Sequence, residues 1–236
     1  MARRGVATAE VVNLNQIIRE YLNSPEYEKL LFYHPHVSVK VDLQNDLTNI
    51  LGSPVHISKS MMNLVSNGME AMPDGGTLGI MTAVQYLDRP VLGYETVEAG
   101  EYVTVKIEDT GIGISPQDLE RIFEPFYTKK VMGRSGTGLG MAVIWGTVKD
   151  HNGYIDVSSI KGEGTTFTIY FPMTRLPAES EASPETLTHY IGSGETILVV
   201  DDVEEQLDIA FNLLDQLGYT VATVSSGEEA VAYLQT

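Results

Sequence analysis

The chain has no cysteine, a single tryptophan, and no lysine or arginine after Arg175. Without cysteine there is no disulfide framework and no thiolate metal site, and a cytoplasmic protein is the natural expectation. No apolar run approaches the roughly 20 residues of a membrane span. The N-terminus, Met1-Ala-Arg-Arg-Gly-Val6, lacks the apolar core of a signal peptide. Basic residues are scarce overall: 15 Lys and Arg stand against 32 Asp and Glu, for a net charge of −17, which argues against a nucleic-acid partner. The acidity is uneven. Every Lys and Arg lies before Leu176, while 12 Asp and Glu lie from Leu176 onward. So sharp a break in composition predicts a separate C-terminal module.

What remains is an ordinary globular composition, 43% hydrophobic, enough for a core in one or two domains. Leu14, Ile17, Ile18, Tyr21 and Leu22 recur at helical spacing behind Asn13, a candidate N-cap. A short helical stretch over Glu26–Leu31 is broken by His34-Pro35-His36. Val37–Leu43 alternates like a half-buried strand. Pro54–Met72 predicts a helix with Ile57, Met61, Leu64, Val65 and Met69 on one face, closed by the turn Pro73-Asp-Gly-Gly76. Thr77–Gln85 and Glu101–Glu108 predict strands joined by a longer connection. Ser115 caps a helix that has Pro116 at its first position. Thr137–Asp150 predicts a further helix, in which His151 helps to end the element. Gly153–Ile160 and Gly164–Phe171 predict an antiparallel pair, and Leu176–Gly194 reads as a linker. The expected fold class is α+β, a two-layer sandwich with helices on one face of a mixed sheet.

Two glycine runs carry the chemistry. In Asp109-Thr-Gly111-Ile-Gly113-Ile114, a carboxylate at a strand end can accept a hydrogen bond from the exocyclic amine of adenine. Gly111 and Gly113 leave room for close backbone approach to a base. Asp-x-Gly also occurs in ordinary turns, and the motif alone does not separate the two. The second run, Gly136-Thr137-Gly138-Leu139-Gly140, opens directly into a helix, where backbone N–H groups and the helix dipole favour phosphate. Its spacing is neither that of a P-loop nor that of a Rossmann fingerprint. Upstream, Asn63 and Asn67 share a helix face one turn apart. An amide oxygen suits Mg²⁺, which keeps waters and bridges phosphates; two solvated polar residues on an amphipathic helix are the alternative. Between the runs, Phe123-Glu-Pro-Phe-Tyr-Thr-Lys-Lys130 leads into a loop-like stretch from Tyr127 to Ser135 that could close as a lid. Lys130, and less directly Arg134, could reach a terminal phosphate.

In this order the motifs resemble the ATP-binding catalytic domain of bacterial sensor histidine kinases, within the wider gyrase, Hsp90 and MutL ATPase superfamily. The N box matches Asn63–Ala71, the first G box Asp109–Ile114, the F box Phe123–Phe126 and the second G box Gly136–Gly140. Gly162–Pro172 matches the closing strand. The likeness covers about residues 13–175 and implies a Bergerat-type sandwich. It further implies that Asn67 holds Mg²⁺ with ATP, that Asp109 binds adenine, and that Lys130 and the second G box bind the phosphates. Thr166 is implied to support the adenine edge. Superfamily ATPases place a glutamate base one turn before the metal asparagine. Here Asn63 stands instead and cannot take a proton from water near neutral pH. That favours transfer to a histidine over hydrolysis. A superfamily ATPase and a nucleotide-binding module without turnover are the alternatives.

The tail resembles the opening of a receiver domain: Thr196–Val200 is an apolar strand ending in the acids Asp201 and Asp202, a candidate but incomplete Mg²⁺ site. The expected organisation is a remnant of a helical dimerisation and phosphoacceptor domain at 1–12, the catalytic domain at 13–175, a linker at 176–194 and a truncated receiver at 195–236. The expected partners are ATP, a separate histidine-bearing dimerisation domain, and a receiver or response regulator. A second copy joined through the incomplete receiver edge is a further expectation. None of the five histidines stands in an acceptor context.

Overall fold

The computed structural model describes residues 10–128, 138–177 and 191–235. They fall into two compact units divided at Ala178–Glu179, within the stretch read as a linker.

The first unit opens with a short strand, β1 (Glu10–Val12). Residues 10–12, expected within a helical remnant at 1–12, instead form a strand that pairs antiparallel with β3 (Asn49–Gly52); residues 1–9 lie outside the described residues. Between β1 and β3 lie α1 (Leu14–Leu22), α2 (Pro25–Tyr33) and β2 (Val37–Leu43). Asn13 caps α1 by accepting the Asn15 N–H at 3.0 Å, and Leu14, Ile17, Ile18 and Tyr21 are buried along one stripe. Helix α3 (Pro54–Glu70) buries Ile57, Met61, Leu64, Val65 and Met69 as its spacing predicts.

Strand β4 (Gly76–Leu87) runs parallel to β2 and antiparallel to β7 (Gly100–Asp109). The connection between β4 and β7 is not plain loop. It holds a small hairpin of β5 (Val91–Leu92) and β6 (Thr96–Val97). After β7 come a single capped turn, α4 (Pro116–Leu119), and then α5 (Gly140–Asp150). The part of the predicted Thr137–Asp150 helix that precedes Gly138 lies outside the described residues.

Strands β8 (Tyr154–Ile160) and β9 (Gly164–Thr174) pair antiparallel. Strand β9 also pairs with β7 and, through Met173 and Thr174, with β3. Helices α1, α3 and α5 share one continuous core with the buried residues of this seven-stranded sheet. The architecture is therefore the expected α+β sandwich with a mixed sheet.

One buried side chain ties the helical layer together. His151, at the C-cap of α5, accepts the Ser53 N–H at its Nε2 (2.8 Å), and its Nδ1 lies 2.6 Å from the Thr147 carbonyl. A carbonyl cannot donate, so Nδ1 carries the hydrogen and the ring is neutral. The sequence marked His151 only as the end of a helix; it also fixes the start of α3, because Ser53 is that helix's N-cap. Replacing it by Phe keeps the ring beside Phe171 but leaves the buried Ser53 N–H without this acceptor. The expected loss is about 1–3 kcal/mol, read from denaturant midpoints.

The second unit is a βαβα arrangement: β10 (Thr196–Val200), α6 (Glu204–Gln216), β11 (Thr220–Val224) and α7 (Gly227–Leu234). Its two strands are parallel, and both helices pack on them.

Candidate functional site

Period two along β7 decides where the acid goes. Val103, Val105, Ile107 and Asp109 share the core face, so the last residue of the strand carries a carboxylate under the helices. Asp109 is only 6% exposed. Its Oδ1 accepts the Gly111 N–H at 2.9 Å. Burial holds its carboxyl above the usual carboxylate range, opposed by backbone hydrogen bonds from Gly111 and Thr165. Perturbed carboxyl groups of this kind are found at functional sites more often than elsewhere.

A cavity of about 480 Å³ opens beside it, within the range of small-molecule sites. Helix α3 supplies one wall. Asn63, Asn67 and Glu70 succeed one another at helical spacing and all line the cavity, as does Ser66, whose hydroxyl donates to Glu70 at 3.0 Å. The Asn67 amide donates to Met141 Sδ at 3.4 Å, linking this wall to α5. Gly138 and Gly140 line the opposite side at the start of α5; Leu139, between them, does not. Leu139 is the N-cap and its side chain makes no capping bond, so the first turn of α5 has backbone N–H groups to offer an anion.

Gly113 lines the cavity, whereas Gly111 serves through its N–H to Asp109. The loop holding them is pinned on both sides: Ile112 N–H donates to the Ala71 carbonyl at 3.0 Å, and Gly162 N–H to the Ile112 carbonyl at 2.8 Å.

Thr166 is not where the sequence reading put it. Asp109 is directly opposite Thr165 in the β7–β9 register, and Thr165 is buried and lines the cavity. Thr166 is one residue out of phase and faces the other side of the sheet. Strand phase, which depends on pairing register, is what the sequence lacked.

The F-box segment forms the rim. Tyr127 O–H donates to Asp118 Oδ1 at 2.7 Å, and the Ser115 hydroxyl donates to Asp118 Oδ2 at 2.6 Å. The Arg121 guanidinium lies 4.3 Å from the Tyr127 ring centroid. Phe126, at φ +66°, donates its N–H to the Gly138 carbonyl at 3.0 Å. Lys130, Arg134, Gly136 and Thr137 lie outside the described residues.

In the second unit, Asp201 and Asp202 follow β10 as expected. One oxygen of Asp201 accepts the Val203 N–H at 2.9 Å, at the start of α6. Among the described residues no three His, Cys, Asp or Glu side chains gather as a metal cluster. No helix among them is long and apolar enough to cross a membrane.

Comparison with known proteins agrees with this geometry. Sensor kinase CckA of Brucella abortus is 33% identical over 208 residues, 84% of this chain and 22% of its own length. Sporulation kinase E of Bacillus subtilis is 30% identical over 76% of this chain and 25% of its own length. The chain thus spans about a quarter of the curated relatives it matches. The catalytic domain of histidine kinase ThkA, in a nucleotide-free form, aligns over 70% of this chain and 97% of that domain, with TM-score 0.54 and 26% identity. Full-length ShkA, in complex with AMPPNP, covers 98% of this chain and 43% of its own, with TM-score 0.56 at 19% identity, a likeness of fold. The family model described as histidine kinase-, DNA gyrase B- and HSP90-like ATPase matches residues 52–175, just over half of the chain and every one of the described cavity walls, and the chain belongs to that family.

Proposed function

We propose that the first unit binds MgATP and passes its γ-phosphoryl to a histidine on a separate dimerisation domain, as the catalytic domain of a sensor histidine kinase. The observation that carries this reading is the convergence, in one cavity, of the Asp109 carboxylate, the Asn63 and Asn67 amides and the first turn of α5. Adenine donates its exocyclic amine to Asp109. The α5 N-terminus takes the phosphates, with Lys130 and Arg134 as further cations. Asn67 and its neighbours fit Mg²⁺ in kind: neutral amide oxygens complete a shell that phosphates and water dominate. The ion would neutralise charge on the phosphates. The chain's own part is to hold the nucleotide in line for attack and to exclude water.

The second unit we read as receiver-like, with Asp201 and Asp202 as its acidic pair and the other edge of β10 as the place for a further strand, from the same chain or a second copy. On this reading the parent is a hybrid kinase with a domain order of 13–175, 176–194 and 195–236.

The test uses γ-labelled MgATP with this chain, with and without the parent's histidine-bearing helical domain. Acid-labile label on that domain with little free phosphate is the expected result. Rapid free phosphate with no protein label overturns it in favour of an ATPase. The same assay checks Asn63. Asn63→Glu places a carboxylate base on the cavity wall, and free-phosphate release should rise on the order of 100-fold over the parent background. An unchanged rate would count against the role given to this position.

A further inference from the structure

Three aromatic side chains from three distant parts of the first unit meet beside the cavity rim. Tyr94, between β5 and β6, has its ring centroid 5.2 Å from that of Phe123 and 6.2 Å from that of Trp145, each at 74°. Phe123 and Trp145 are 4.9 Å apart. All three are partly buried against the main core. Phe123 belongs to the rim: its neighbour Ile122 lines the cavity, and so does Tyr127. Trp145 stands on α5, beyond the Gly138–Gly140 turn.

Tyr94 is held from behind by rigid elements. Its N–H donates to Asp156 Oδ1 on β8 at 2.7 Å. Glu95 accepts the Ile155 N–H at 2.5 Å and pairs with Lys149 of α5. Lys149 in turn lies 4.6 Å from the Trp145 ring centroid. The fit is tight, since a Cβ on Gly93 would lie 2.2 Å from Asp156 Oδ1. The hairpin is thus strapped to sheet and helix, and its one aromatic side chain is directed at the rim. Edge-to-face contacts are directional, so such a ring fixes orientation as well as excluding water.

We propose that Tyr94 is a positioning residue for the nucleotide: its ring braces Phe123 against Trp145 and so sets the Ile122–Tyr127 segment against the cavity. The proposal rests on the nucleotide reading above. It assigns a role to the β4–β7 connection, which lies outside all four sequence boxes.

Trp145 is the only tryptophan in the chain, so its emission reports this cluster directly. The experiment titrates MgATP into the full chain by calorimetry and records Trp145 emission for the parent, Tyr94→Ala, Tyr94→Leu, Tyr94→Phe and Asp156→Ala. Tyr94→Ala and Tyr94→Leu should bind MgATP roughly tenfold more weakly and shift the emission, with Asp156→Ala moving the same way. Tyr94→Phe should restore both to within about twofold of the parent, because the ring, not the hydroxyl, makes the contacts. Tyr94→Leu keeps the bulk and serves where Tyr94→Ala does not fold. Parent-like affinity in Tyr94→Leu overturns the brace while leaving the nucleotide site standing. If the parent itself binds no MgATP, the nucleotide reading falls; an unchanged emission spectrum in Tyr94→Leu then overturns the brace as well.

Discussion

Asp109→Asn should weaken MgATP binding by on the order of 100-fold while leaving the fold intact. Of the carboxylates on β7, Asp109 is the buried one. An asparagine keeps its shape but turns an N–H₂ group toward either the adenine amine or the Gly111 and Thr165 donors, so one of them loses its acceptor. The sign of the pH dependence follows from the raised pKa. Above it, Asp109 is ionised and accepts; as pH falls through it, the acid protonates and affinity drops. Because burial has lifted the value, this loss begins at a higher pH than for an ordinary aspartate. Stability moves the other way. A folded-state pKa raised above the unfolded one means that burial of this charge costs stability above the folded value, and the cost is relieved as pH falls through it. Asp109→Asn should therefore melt no lower than the parent at neutral pH, and its affinity should not show the acid-side loss due to this group. Calorimetric titration at several pH values together with a thermal melt checks both. Parent-like affinity in Asp109→Asn would remove Asp109 from the base-binding role.

A large effect on the fold is expected at Gly113→Ala, with a loss of at least about 3 kcal/mol. Gly113 has φ +63°, a left-handed conformation, and a Cβ there would lie 2.1 Å from the Ile160 carbonyl oxygen and 2.9 Å from Lys161 Cα. Both contacts are backbone, so no side chain can rotate away. The loop would have to lift from the β8–β9 turn, breaking the Gly162–Ile112 hydrogen bond and disturbing the Gly111 N–H that serves Asp109. Gly162→Ala is the control. It also sits at positive φ (+90°) but has nothing within 4 Å of an added Cβ. Strain alone predicts a loss of about 1–2 kcal/mol there. Denaturant unfolding of the two variants separates conformational strain from collision. Equal losses would mean that the loop yields more easily than its packing implies.

The parts of this site that chemistry constrains were legible in the sequence; those that register and long-range packing decide were not. Asp109, Asn63, Asn67 and the Gly138–Gly140 turn, which line one cavity, stood out because each motif puts a particular side chain, or none, at a fixed spacing. Helix α3 was legible because a long amphipathic period leaves little ambiguity. Strands β1 and β3 were missed because three or four residues cannot display a period, and their pairing joins positions far apart along the chain. Thr166 was named where Thr165 is the residue that lines the cavity, because strand phase follows from register with β7 and not from local composition. His151 was half-read: its place at a helix end is local, but its bond to Ser53 spans 98 positions. Tyr94 gave no signal, since a lone tyrosine in a connection looks like any other until Phe123 and Trp145 arrive beside it.

The place of β9 in the sheet bears on how such a chain is made. Gly164–Thr174 joins β7, β8 and β3, yet it leaves the ribosome after all of them. At about 5–20 residues per second, β7 waits on the order of several seconds with one edge open to any extended segment that passes. Order of synthesis and order of assembly are therefore opposed in this unit. The nascent chain carries the strand that ends in Asp109 exposed until the last strand of the sheet closes over it, and a holdase that shields that edge would act in this interval.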